Sequence, residues 1–158
     1  MMNKNIMILF ISLFSFFFLF SCCKNSDADS RLLYLKNNFN KLYQNDYKQF
    51  WQILAEAEKN AVNCQSTSDT VAFLKLIEID STGVEFIEYF SEVIEKLCIE
   101  NPKCFLDALS NLDSSAITRI VKRLKTPLFL DSKDIDAVFN KNKSVKKYDA
   151  VMKEYFRK

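Results

Sequence analysis

The residues of this chain that could do chemistry are its carboxylates and its five cysteines, because it contains no histidine. Without histidine the usual general base near neutral pH is missing, and so are the Ser-His-Asp and Cys-His nucleophile arrangements. A single glycine leaves no glycine-rich loop to cradle a phosphate. Glu85, Glu88, Glu92 and Glu95 recur at three- and four-residue steps and so share one side of a helix. They could pair as acids or hold a hard cation. The apolar stripe Ile87, Phe90, Ile94 and Leu97 runs opposite them, however, so all four are expected to face water. Asp131, Asp134 and Asp136 have part of a calcium-loop spacing, but Lys133 stands at a ligand position and no glycine follows. Asp131 and Ser132 read better as a helix cap. No positive charge lies close to Cys64 in sequence to lower its pKa, which favours a structural cysteine. No catalytic residue, metal ligand or cofactor site follows from these patterns, and an enzyme is the least favoured class.

Aromatic residues crowd the first third of the chain: Tyr34, Phe39, Tyr43, Tyr47, Phe50 and Trp51. Their helical spacing suits core packing. Tyr43, Tyr47 and Trp51 stand four residues apart and align along one face, and Tyr and Trp are enriched in binding hot spots. These three are the expected partner-binding residues.

The elements that must position them are helices. Glycine and proline are nearly absent, with Gly83, Pro102 and Pro127 the only examples. Hairpin-built folds need many turns that glycine supplies most cheaply. The expected class is therefore all-α, a compact bundle of six to eight short helices in antiparallel hairpins. Leu32, Leu35, Phe39 and Leu42 mark a first apolar face after a cap at Asp29 or Ser30. Phe50, Trp51, Leu54, Ala57 and Ala61 mark a second, which ends in the polar loop 63–68. Ser68 is placed to cap a short helix carrying Phe73, Leu74 and Ile77. Pro102 suits the first turn of the helix bearing Phe105 and Leu109. Asp113 and Asp131 are placed to cap the helices of Ile120 and Phe139, and Ser144 opens the last, with Tyr148, Met152 and Tyr155.

Charge is unevenly distributed. Residues 22–118 carry nine lysines and arginines against fifteen acids, and residues 119–158 carry twelve against five. The basic quarter can meet anionic headgroups or an acidic partner, or form an ordinary soluble surface.

The N-terminus supplies the address. After Lys4 an apolar run fills residues 6–20 and leads into Leu19-Phe20-Ser21-Cys22. As a helix this run reaches roughly 22 Å, short of the roughly 30 Å hydrocarbon core. A plain secretory signal wants a small-x-small cleavage site, and Ser21 is the only small residue there. The segment resembles the signal of bacterial lipoproteins, with Leu19 three positions before the cysteine and Ser21 just before it. That resemblance, which covers residues 1–22 only, implies cleavage after Ser21 and a lipidated Cys22. Residues 22–30 are then the lipidated cysteine and a polar tether, and residues 31–158 a single helical domain. It also implies a bacterial cell envelope location, at the outer membrane if the source has one, because Cys23 rather than aspartate follows the lipidated residue. An exported protein rarely meets nucleic acid. Exposure to an oxidising compartment favours disulfides. Cys98 and Cys104 flank a helix stop and restart, and a bridge there would contribute about 2–3 kcal/mol. Cys64 with either of them, or three buried thiols, are the alternatives.

The function expected from all this is a lipid-anchored, non-enzymatic protein that binds a protein or cell-envelope component through a helical surface. The alternative is a carrier holding an apolar ligand in an aromatic-lined pocket.

Overall fold

The computed structural model describes residues 25–80 and 83–157; the signal segment, Cys22 and Cys23 lie outside them. Among the described residues every regular element is helical. The α-helices are α1 (Asn25–Asn37), α2 (Phe39–Asn45), α3 (Tyr47–Asn63), α4 (Thr67–Leu74), α5 (Val84–Glu100), α6 (Pro102–Leu109), α7 (Ser114–Leu124), α8 (Ser132–Asn142) and α9 (Asp149–Tyr155). Single 3₁₀ turns follow α4 (Lys75–Glu78) and precede α9 (Lys146–Tyr148). None of the described helices is long and apolar enough to cross a membrane.

Among the described residues nine α-helices stand where six to eight were expected, because Asn38 divides the first one. Its backbone N–H is shared between Tyr34 O at 3.0 Å and Leu35 O at 3.2 Å, and its side-chain amide also donates to Tyr34 O, at 3.0 Å. Asparagine competes with the helix for backbone partners in this way. The apolar face continues across the break, so Leu32, Leu35, Phe39 and Leu42 are all buried. Helix α1 also starts earlier than its capping signal, so the second half of the expected tether is helical.

Side chains end and begin these helices where glycine is absent. Asp46, Ser66, Asp113 and Asp131 each accept an N–H of the following turn, at 2.9–3.3 Å. Ser66, not Ser68, caps α4. Cys64 itself takes the left-handed conformation that terminates α3, at φ 43°. Gly83, the lone glycine, has φ −70°.

Helix α3 packs against α1, α2 and α4, and α6 against α4 and α5. Helix α8 packs on α5, and α9 on α7. Phe39, Phe50 and Phe86 meet edge to face, with centroids of Phe39 5.1 and 4.9 Å from its two neighbours. Phe73 stacks on Phe90 at 5.6 Å. Such pairs contribute about 0.5–1.5 kcal/mol beyond their area.

Cys104 is bridged to Cys64, not to Cys98. The two cysteines beside the helix break project in different directions. Cys104 faces α4, where Thr70 Oγ1 lies 3.4 Å from its sulfur. Cys98 turns into the core and remains a free, fully buried thiol. Burial, and then the nearby Glu95 charge, push that thiol up to about 12. The C-terminus is tied down at Asp107 of α6, whose Oδ1 accepts from Tyr148 Oη at 2.7 Å and pairs with Lys147. Burial works to raise the Asp107 carboxyl, but the Lys147 and Tyr148 donors outweigh it and hold it below its ordinary value.

Three outcomes follow. Reducing the 40-residue bridge, or Cys104→Ser, lowers unfolding free energy by roughly 4 kcal/mol on the chain-entropy account, read by denaturant unfolding with and without reductant. Cys98 alkylates only after unfolding. Because the folded Asp107 is depressed, its contribution is present above its unfolded pKa and is lost as pH falls through the folded value. Asp107→Asn should therefore narrow the gap between neutral and acid stability, and an unchanged acid-unfolding midpoint would contradict this.

Candidate functional site

Two surfaces carry aromatic, acidic or apolar side chains outside the buried core. The first is built on α2, α3 and α5. Tyr43, Tyr47 and Trp51 follow one another with ring centroids 5.9 Å apart at each step, and Tyr89 of α5 continues the row 5.2 Å from Trp51. The expected alignment of Tyr43, Tyr47 and Trp51 is thus present, with Tyr47 half exposed and the other two more covered. The row is fronted by acids. Tyr43 and Tyr47 both donate to Glu85 Oε2, at 3.0 and 2.9 Å. Tyr89 donates to Glu58 Oε2 at 2.7 Å.

Accepting from Tyr43, Glu85 raises that hydroxyl above its ordinary value, and desolvation adds to the effect. Burial, then the Glu58 contact, raise Tyr89 strongly, so it stays a neutral donor. The Trp51 indole N–H is buried without an acceptor among the described residues. That costs roughly 1–3 kcal/mol, set against ring contacts with Tyr47, Phe50 and Tyr89. Among the described residues no lysine or arginine ion-pairs with Glu58, Glu85, Glu88 or Glu92; the five ion pairs lie elsewhere. The arrangement is an aromatic row beside uncompensated negative charge, which attracts a cation through both the carboxylates and the ring faces.

Sequence reasoning missed Tyr89 and the acids that face the row. Their partners lie 31–42 residues away in the chain, as from Glu58 to Tyr89 or Tyr43 to Glu85. The available signal was the position of Tyr89 between Glu85, Glu88 and Glu92 on one helix face.

The second surface corrects the reading of Glu95. Glu85, Glu88 and Glu92 are exposed as expected, but Glu95 is 1% exposed. Its carboxylate accepts three successive backbone N–H groups, from Leu128 at 2.8 Å, Phe129 at 2.9 Å and Leu130 at 3.0 Å. Successive N–H groups of a loop form an anion-holding concavity, and here a side chain of the same protein fills it. Position 95 lies at the edge of the solvated stripe of Glu85, Glu88, Glu92 and Lys96, next to the buried Val93, Ile94, Leu97 and Cys98, and the 128–130 backbone closes over it. The loop so held presents Leu128, Phe129 and Leu130 outward, 61%, 50% and 37% exposed. Three consecutive apolar residues after Pro127, between a helix stop and the Asp131 cap, were the available signal.

Of the other expected sites, Asp131 caps α8, and Asp136 accepts from Tyr155 Oη at 2.6 Å. No group of three His, Cys, Asp or Glu side chains among the described residues converges as a metal site requires. A groove of about 670 Å³ between α1 and α4 is lined by Leu32, Leu33, Val71, Ala72 and Leu76, and is not aromatic. Comparison with protein families, with curated proteins and with solved structures finds no match to this chain.

Amide exchange tests the Glu95 clamp. The Leu128, Phe129 and Leu130 amides should exchange slowly although they lie outside any helix, and Glu95→Gln should speed all three selectively. Fast exchange in the unaltered protein would contradict the clamp.

Proposed function

We propose that this chain is a lipid-anchored, non-enzymatic protein of the bacterial cell envelope that holds a cationic protein or envelope component on its acidic aromatic face. Its framework is a stack of short antiparallel helical hairpins. The observation that carries the reading is the Tyr43, Tyr47, Trp51 and Tyr89 row beside Glu58 and Glu85, with no lysine or arginine among the described residues paired to those acids. Aromatic hot spots supply contact area at low entropic cost, and complementary charge sets orientation and encounter rate. The lipobox-like Leu19-Phe20-Ser21-Cys22 supports the anchor, with Cys22 as the lipidated residue and the membrane as the first partner.

The carrier reading is less favoured. The phenylalanines that would line its pocket instead stack on one another in the core, and the open groove by α1 is aliphatic and holds the Lys36–Glu78 ion pair at its edge.

Two measurements on protein from cells test this reading. Intact mass after detergent extraction should begin at Cys22 with acyl chains attached, and a mass retaining residues 1–21 would refute the anchor. In-cell crosslinking should give a specific partner band that Tyr47→Ala and Glu85→Lys both abolish. A band that survives both changes would place the binding surface elsewhere.

A further inference from the structure

The Leu128-Phe129-Leu130 loop presents three apolar side chains in succession, at 61%, 50% and 37% exposure, on a backbone that asks nothing of water through its donors. Pro127 has no N–H, and the N–H groups of the next three residues are all taken by the buried Glu95 carboxylate. Moving a loop out of water is ordinarily opposed by its unsatisfied backbone polar groups, which cost several kcal/mol each in hydrocarbon. Here the donor half of that cost is already removed inside the protein. The clamp also fixes the backbone, so little ordering entropy is lost when the tip is covered.

The surroundings indicate what covers it. The loop lies within the segment 119–158, where lysine and arginine outnumber acids twelve to five. Lys122, Lys125 and Lys133 flank it in sequence and are exposed, as are Lys141, Lys143, Lys146 and Lys153 farther on, whereas Lys147 is paired with Asp107. Asp131 and Asp134, beside the tip, reduce this charge without reversing it. An apolar tip in a lysine-rich segment matches the interfacial region of an anionic bilayer, where lysines are drawn to the headgroups and apolar side chains enter the acyl boundary.

We propose that residues 127–130 are a membrane-seating tip that inserts into anionic lipid, steadied by the exposed lysines of the C-terminal quarter. This contact is separate from the acidic aromatic face and does not depend on what that face binds. It is also independent of lipidation at Cys22, because it concerns how the folded domain rests on the bilayer.

The test uses the full chain on vesicles of phosphatidylcholine with phosphatidylglycerol, part of the phosphatidylcholine carrying brominated acyl chains. Wild type has Trp51 as its one tryptophan and supplies the baseline. Phe129→Trp should add emission that is shifted to the blue and quenched by the brominated lipid beyond that baseline. Leu128→Ser in the same variant should weaken this insertion roughly tenfold, the equivalent of losing one buried aliphatic side chain. Uncharged vesicles or high salt should also weaken it. The readout is local to position 129, so it reports the tip whatever holds the N-terminus. Quenching no greater than wild type on anionic vesicles overturns the proposal and leaves a protein as the occupant. Equal quenching on charged and uncharged vesicles overturns the part given to the lysines.

Discussion

A carboxylate on the covered side of a helix must have its lone pairs filled from inside the protein, and α5 carries a glutamate at such a place. Eight of its seventeen residues are buried, and Glu95 is one of them, at the edge of the solvated stripe of Glu85, Glu88, Glu92 and Lys96. Taking a carboxylate out of water costs several kcal/mol unless its lone pairs are filled. The fold fills them with the loop that follows α7. Two problems are solved together: the charge is solvated by three N–H groups, and a non-helical stretch acquires a fixed conformation. Charge-assisted bonds of this kind contribute about 1.5–3 kcal/mol each, so the loop and the central helix depend on one another.

The other constraint is the scarcity of glycine. Helices must stop somewhere, and most proteins stop them with a residue that tolerates positive φ at no cost. This chain starts α3, α4, α7 and α8 with acidic or hydroxyl caps and ends α3 with Cys64 in the left-handed region. The same cysteine is then bonded to Cys104, which joins the end of α3 to α6 across a separation of 40 residues. Thr70, fully buried between them, donates to Ala61 O at 3.0 Å and packs against the sulfur of Cys104. A costly backbone conformation, a buried hydroxyl and a covalent bond thus sit together.

Charge divides the surface in keeping with these parts. The acids of α3 and α5 front a row of aromatic rings, and the apolar loop belongs to the lysine-rich last forty residues. The first arrangement suits cations and the second suits an anionic interface.

Much of this was legible from residue order. Helix class followed from apolar spacing and from the near absence of glycine, and the caps at Asp113 and Asp131 from residues that act on backbone two or three positions away. Tyr43, Tyr47 and Trp51 aligned because four-residue steps recur on one helix face. These are local interactions, and the chain alone determines them. Which cysteine Cys104 meets, where the Glu95 charge is satisfied, and which acids face the tyrosines were decided only by the packed structure. Each joins residues more than thirty positions apart. Periodicity says which side of a helix is apolar, but not which helix covers it; that choice is made by how the side chains fill space together.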